Sequence, residues 1–159
     1  MKVLVLGIGN PILGDDGIGF HIAQALADKI KDENIDVKFT SVNGLNLLEL
    51  IMGYDRLIAI DAIMTGRARV GEIFRLRLGD IEALKCNTAS AHYLDLATGI
   101  DIGKVLFPSQ MPQEVEIFAV GIQPVVSVTE EMTAEVAQTI PRVVSLVLEQ
   151  IGSKQIGLR

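Results

Sequence analysis

Continuous apolar runs alternate with amphipathic stretches along this chain. The run from Val3 to Gly9 ends in glycines, a pattern typical of a strand buried on both faces of a sheet. Further strands are predicted at 37–42, 55–60, 72–78 and 116–121, and helices at 16–30, 45–52, 91–102 and 129–151. Because strands alternate with helices, the pattern predicts an α/β protein built on a mostly parallel sheet.

Two segments depart from this alternation of buried strands and amphipathic helices. In residues 72–78, apolar positions alternate with Arg75 and Arg77. This pattern favours an edge strand and is compatible with an antiparallel direction. Pro141 stands inside the last predicted helix, so we expect that helix to be kinked or split there.

The composition indicates one folded domain. Of the 159 residues, 49% are hydrophobic and 21% are charged, which excludes a disordered chain and predicts a single domain over 1–159, ending in a few flexible residues. The net charge of −6 argues against nucleic-acid binding, which needs a basic face. No apolar stretch reaches the ~20 residues that a bilayer requires, and the single cysteine, Cys86, fits a reducing compartment. We therefore predict a cytoplasmic monomer that binds no membrane.

The candidate functional side chains stand where predicted strands end and helices begin. Asp61 directly follows the third strand, and Asp15 and Asp16 stand where the first helix starts. His92 stands at the start of a later helix, which Ser90 is expected to cap. In parallel sheets, ligands bind beyond the carboxyl ends of the strands. We therefore expect the loops that follow the first, third and last strands to meet at that edge.

Each of these residues also has a simple structural role. Either aspartate of the Asp15–Asp16 pair can cap the first helix, and a lone histidine is commonly structural. Taken together, however, two carboxylates and an imidazole suit a borderline divalent ion with open coordination positions. Such a site can activate water or polarise a carbonyl. The ligand set alone does not separate nickel from zinc or cobalt.

Other interpretations have weaker support. The first glycine-rich loop resembles a dinucleotide fingerprint, but Ile12 replaces the last glycine and Pro11 offers no N–H to a phosphate. Cys86 lies six residues before His92 in a loop without a glycine elbow, which favours a bystander thiol over a nucleophile. His21, within the first predicted helix, is assigned no chemistry.

Five motifs follow one another within about residues 1–150. They are Gly7-x-Gly9-Asn10, Asp15-Asp16-Gly17-x-Gly19, Asp61-Ala62, Ser90-x-His92 and Gly121-Ile122-Gln123-Pro124. In this order they resemble the hydrogenase maturation protease family. The resemblance implies a three-layer α/β/α sandwich around a five-stranded, mostly parallel twisted sheet with one antiparallel edge strand. It also implies that Asp16, Asp61 and His92 are the metal-binding and catalytic residues.

The family resemblance further implies a nickel-dependent endopeptidase. Such enzymes remove the C-terminal extension of an immature nickel–iron hydrogenase large subunit after nickel insertion. The nickel arrives with the substrate, and cadmium or zinc can also occupy the site. One departure is Ser41-Val42-Asn43-Gly44, where many relatives carry an Asp-Gly-Gly-like segment, and this difference suggests another partner subgroup. The alternative to a peptidase is a metal carrier or a degenerate nucleotide-binding module.

Overall fold

One sheet organises the fold, as seen in a computed structural model of the chain. The structure describes residues 1–42, 45–64, 69–80, 91–125 and 127–156, without the side chains of 91–95 and 154–156. The described strands are β1 (Val3–Ile8), β2 (Ile35–Thr40), β3 (Arg56–Ile63), β4 (Ile73–Arg77) and β5 (Glu114–Gly121). The helices that lie wholly within the described part are α1 (Ile18–Lys29), α2 (Asn46–Ile51), α3 (Ala91–Leu106), α4 (Ala134–Ala137) and α5 (Thr139–Ile156). A 3-10 turn at Gly14–Gly17 leads into α1.

The strands lie in the order β2-β1-β3-β5-β4. Neighbouring strands run parallel from β2 to β5, whereas β4 runs antiparallel to β5, with Arg77 opposite Glu116. The predicted α/β fold with an antiparallel edge strand is confirmed. The alternating pattern of β4 reflects this edge position, since an edge strand can present one of its faces to water.

Helices cover both faces of the sheet. Leu4 and Leu6 of β1 belong to a core that also contains apolar residues of α2 and α3. Val3 and Val5 belong to a second core, which contains apolar residues of α1 and α5. Because successive side chains of a strand point to opposite faces, β1 serves both cores, which explains its continuous apolar run. These two cores make the fold the three-layer α/β/α sandwich that the family resemblance implied.

Glycines allow α1 to lie very close to the sheet. A Cβ atom at Gly19 would lie 2.4 Å from the carbonyl oxygens of both Ile8 and Ile60, and one at Gly7 would lie 2.2 Å from the Gly19 carbonyl oxygen. Any larger residue at these positions would therefore force the backbones apart. The close approach holds the start of α1, and the 3-10 turn before it, against the ends of β1 and β3.

The prediction for the last helix is wrong in two respects. Residues 129–133 are not helical, and the helical part is divided into α4 and α5 at Gln138 rather than at Pro141. Pro141 is the third residue of α5, where backbone N–H groups have no partner within the helix, so it costs no hydrogen bond. Among the helices that the structure describes, none combines the length and apolar character needed to cross a membrane.

The third strand also differs from its prediction. It continues to Ile63, three residues past the predicted end, so Asp61 lies inside β3 and opposite Ala119 of β5. The added residues are buried, as are those before them. The strand therefore continues through Asp61, although this aspartate interrupts the apolar run, and Asp61 becomes part of the sheet.

Candidate active site

The loop between β1 and α1 turns back on itself and orients Asp16. Gly9 and Gly14 have φ values of 144° and 55°, which side chains rarely allow. The N–H of Leu13 donates to the Asn10 carbonyl and the N–H of Asp16 donates to the Leu13 carbonyl, each at 3.1 Å. The Oδ2 atom of Asp16 accepts a hydrogen bond from the Asn10 backbone N–H at 3.0 Å. This hydrogen bond fixes the half-buried Asp16 carboxylate beside Asn10, near the residue where the loop leaves β1.

Asp15 serves a different helix from the one expected. No side chain caps α1, because the 3-10 turn continues into it and the Ile18 N–H donates to the Asp15 carbonyl. The expectation that one of the paired aspartates caps this helix is therefore wrong. The buried Asp15 carboxylate instead accepts hydrogen bonds from the backbone N–H of Thr133 at 2.8 Å and from its hydroxyl at 2.9 Å. Since Thr133 directly precedes α4, Asp15 holds the start of that helix.

A second loop, residues 127–133, is fastened to the first one. The N–H of Thr129 donates to the Ile12 carbonyl, and the N–H of Gly14 donates to the Thr129 carbonyl, each at 2.8 Å. The helix predicted at 129–151 covers most of this loop, which is not helical. A threonine immediately before the short segment Ala134–Ala137 is an N-cap signal that could have located the true start of the helix.

Asp61 is a buried carboxylate near the carboxyl end of β3. Its exposed fraction is 3%, and its Oδ1 atom accepts a hydrogen bond from the Ala62 backbone N–H at 2.7 Å. Burial raises the pKa of Asp61 well above its ordinary value; the Ala62 hydrogen bond opposes this shift, and the negative charge of Asp16 adds to it. The glycine contacts of α1 hold the turn that carries Asp16 against the end of β3, the strand that carries Asp61.

Two of the three predicted ligands are thus brought to the same edge of the sheet. His92 lies in the first turn of α3, but its side chain is outside the described residues, as are Cys86, Ser90 and the 43–44 segment. In the part of the chain that the structure describes, no group of three His, Cys, Asp or Glu side chains could hold a metal ion. The described centre of the site is therefore the Asp16–Asp61 pair, and the role of His92 stays a prediction.

This carboxylate pair fits a divalent cation chemically. In the described ranges, neither Asp16 nor Asp61 forms an ion pair with a lysine or arginine. A bound cation would replace repulsion by attraction and would favour the ionised form of both carboxyls. The same acidic turn disfavours a nucleotide, because a phosphate at the start of α1 would meet the carboxylates of the 3-10 turn.

His21 has a polar atom that the fold does not satisfy. Its Nε2 is buried and has no hydrogen-bond partner among the described residues. The ring packs edge-on against Phe20, with 5.2 Å between the ring centroids. Because His21 lies on α1 rather than in the loop that carries Asp16, we assign it no role in the carboxylate site.

The fold and this site define a class: an α/β/α protein with two acidic side chains at the carboxyl edge of its sheet. The family model described as hydrogenase maturation protease matches residues 6–150. The chain therefore belongs to the hydrogenase maturation protease family, as its sequence motifs indicated. It is accordingly a peptidase of hydrogenase maturation.

Individual relatives agree with this assignment over nearly the whole chain. The Hydrogenase 2 maturation protease of Escherichia coli (strain K12) is 29% identical over 154 residues, which cover 94% of this chain and 92% of the relative. The hydrogenase maturating endopeptidase HybD from E. coli has a TM-score of 0.80 at 27% identity, covering 97% of this chain and 94% of its own. The [NiFe] hydrogenase maturation protease HybD from Thermococcus kodakarensis has a TM-score of 0.74 at 23% identity, covering 94% of this chain and 99% of its own. This last likeness concerns the fold alone.

Proposed function

We propose that this peptidase removes the C-terminal extension of an immature nickel–iron hydrogenase large subunit after nickel insertion. In this proposal the nickel belongs to the substrate, and the enzyme recognises it as the sign that loading is complete. The protein acts as a cytoplasmic monomer. The observation that carries the proposal is the Asp16–Asp61 pair: a buried carboxylate near the end of β3 and a half-buried one in the turn held against that end, neither paired with a described lysine or arginine.

The pair gives a physical reason why cleavage would depend on nickel. A precursor without metal would bring no charge to offset the repulsion between the two carboxylates, whereas a loaded precursor would bring a cation. Asp16, Asp61 and His92 would then share the ion with ligands from the substrate. Other divalent ions, such as cadmium or zinc, could occupy the same place.

The proposed chemistry divides between the substrate's ion and the protein's carboxylates. The ion supplies polarisation of the scissile carbonyl. A carboxylate of the pair accepts the proton of the attacking water and passes it to the departing amine as the C–N bond breaks. The Asn10 backbone N–H holds the Asp16 carboxylate in place. Burial of Asp61 keeps bulk water from screening these interactions.

The proposal is tested by processing of a purified precursor, loaded with nickel or nickel-free. We expect the wild-type protein to release the C-terminal peptide from the loaded precursor only. Asp16→Ala, Asp61→Asn and His92→Ala should each lower the rate at least about 100-fold, the scale of a lost acid–base or electrostatic group. The exposed Asp28→Asn on α1 is the matched control and should cleave normally.

Three results would contradict the proposal in different ways. Full cleavage by Asp16→Ala or His92→Ala would remove these residues from the mechanism. Equal cleavage of loaded and nickel-free precursor would show that the enzyme does not recognise nickel. Tight nickel binding by the free protein, with no peptide released, would indicate a metal carrier instead.

A further inference from the structure

Two exposed apolar side chains stand beside each other at the acidic edge of the sheet. Ile12 is 46% exposed and Val128 is 74% exposed, although they come from different loops. We propose that Ile12 and Val128, here called the apolar pair, form a docking surface for an apolar side chain of the extended substrate segment that carries the scissile bond. This inference rests on the proposed function, because it assumes that a protein chain enters the carboxylate site.

The apolar pair is held together by the backbone. Leu13 and Thr129 form an isolated parallel bridge. The Thr129 N–H donates to the Ile12 carbonyl and the Gly14 N–H donates to the Thr129 carbonyl, each at 2.8 Å. Ile12 and Val128 directly precede the two bridged residues, so they occupy adjacent positions on hydrogen-bonded segments.

A second fastening makes this surface rigid. The buried Asp15 carboxylate accepts two hydrogen bonds from Thr133, which lies in the same loop as Val128. The two loops are therefore joined at two points, the backbone bridge and the Asp15–Thr133 contact. A surface that is ordered before binding loses little conformational entropy when a partner arrives. Preorganisation of this kind distinguishes the apolar pair from isolated exposed apolar residues, which are common on any protein.

Continuity with the carboxylate site indicates the occupant. Ile12 lies in the same short loop as Asp16, between Asn10, whose N–H binds the Asp16 carboxylate, and Leu13, whose carbonyl accepts the Asp16 N–H. A peptide bond placed at Asp16 brings its neighbouring residues over this loop. The segment that covers the apolar pair is therefore the part of the substrate chain beside the cleaved bond, and an apolar side chain suits the pair there.

The chain offers a matched control for this surface. Val105 is 80% exposed and lies near the end of α3, which precedes the amino end of β5. It is therefore at the opposite edge of the sheet from Val128. The same substitution can be made at both valines, and asparagine introduces polarity without adding a charge near Asp61.

The experiment measures kcat and KM for cleavage of nickel-loaded precursor by wild type, Val128→Asn, Val105→Asn and Val128→Leu. Burial of a valine side chain predicts an increase in KM of about tenfold for Val128→Asn with kcat nearly unchanged. Val105→Asn should have the wild-type KM, and Val128→Leu should retain a KM within about twofold of wild type, because the docking contact needs apolar surface. Binding of uncleaved precursor to each variant provides a second readout.

Several outcomes would overturn the docking inference while leaving the proposed function intact. A wild-type KM for Val128→Asn is one, and an equal rise for Val105→Asn is another. A change in oligomeric state of Val128→Asn, seen by size-exclusion chromatography, would indicate that a second copy covers the pair. If the wild type binds precursor without cleaving it, the proposed function fails, and weaker binding by Val128→Asn alone would still support docking. If it neither binds nor cleaves, both fail.

Discussion

The two ends of the β3–β5 strand pair bury charge in opposite ways. At the amino end, Arg56 is 2% exposed and lies 3.2 Å from the Glu116 carboxylate and 3.6 Å from that of Glu114. Arg75 of β4 also donates to Glu116. At the carboxyl end, the buried Asp61 carboxylate has Asp16 as its charged neighbour, and both carry the same sign.

The difference separates a structural site from a functional one. Buried charges are tolerated when they are paired and hydrogen-bonded, as Arg56 and Glu116 are. A pair of like charges instead raises the free energy of the folded state. Such pairs are therefore expected mainly at functional sites, where activity compensates for the lost stability. The charges at the amino end are therefore compensated within the sheet, and under the proposed function those at the carboxyl end would be compensated by the cation of the substrate.

The largest expected effect on stability lies at the amino end. Arg56→Ala would leave Glu116 buried with only the half-exposed Arg75 as its partner. Breaking a buried ion pair in this way costs about 3–5 kcal/mol of unfolding free energy. Urea denaturation should show this loss, whereas Arg77→Ala, an exposed residue on the same edge strand, should stay within about 0.5 kcal/mol of wild type. A small effect at Arg56 would mean that the amino end is not the structural one.

At the carboxyl end we expect a substitution, Asp61→Asn, to raise the free energy of unfolding rather than lower it. The folded protein binds the Asp61 proton more tightly than the unfolded chain, because burial raises the pKa of this carboxyl. Wild-type stability is therefore lost as pH rises from the ordinary aspartate pKa through the raised one. Asparagine does not titrate, so metal-free Asp61→Asn should be more stable than wild type at neutral pH.

The pH dependence provides the check on this second prediction. The advantage of Asp61→Asn should disappear near about pH 3, below the ordinary aspartate pKa of about 3.9. Unfolding by urea at several pH values, with chelator present, measures it. Asp28→Asn, the same change at an exposed position of α1, is the control for the substitution itself. An asparagine variant that is less stable than wild type at neutral pH would show that Asp61 is a structural carboxylate.

The smallest expected effect concerns Asp15, the carboxylate that the fold does satisfy. Asp15→Ala removes two hydrogen bonds to Thr133 at the start of α4, which should cost about 1–2 kcal/mol of unfolding free energy. A double-mutant cycle with Thr133→Ala should show coupling of about 1 kcal/mol, since the two side chains share one bond. Additive effects would contradict the contact. Asp15 would then have a structural role, like the charged residues at the amino end of the sheet, whereas its neighbour Asp16 belongs to the carboxylate site.

Local patterns were sufficient to predict the sheet and the contact between the loops that follow β1 and β5, whereas residues 65–68 of the loop after β3 lie outside the described residues. The apolar run at Val3–Gly9 and the alternation at 72–78 indicated a buried strand and an edge strand, and both are present. The convergence of Asp16 and Asp61 followed from topology, because the carboxyl ends of parallel strands share one edge. Whether His92 joins them remains a prediction, since its side chain lies outside the described residues.

Contacts between distant parts of the chain could not be predicted in the same way. Asp15 and Thr133 are 118 positions apart, and a local pattern cannot show that one holds the helix that the other begins. The burial of Arg56 could not be predicted for the same reason. An arginine at the start of an apolar strand is ordinarily exposed, and only the contact with Glu116 explains why this one is buried. Helix ends and buried charges were thus decided by tertiary contacts.

Anomalous diffraction from crystals soaked in nickel or cadmium would show whether the Asp16–Asp61 pair binds a cation. The comparison between the two ends predicts one strong peak beside Asp16 and Asp61, with His92 completing the ligands. It predicts no peak at Glu114 and Glu116, because Arg56 and Arg75 already neutralise that end. A peak at the amino end, or no peak at the carboxyl end with the Asp16 and Asp61 side chains pointing apart, would contradict the account.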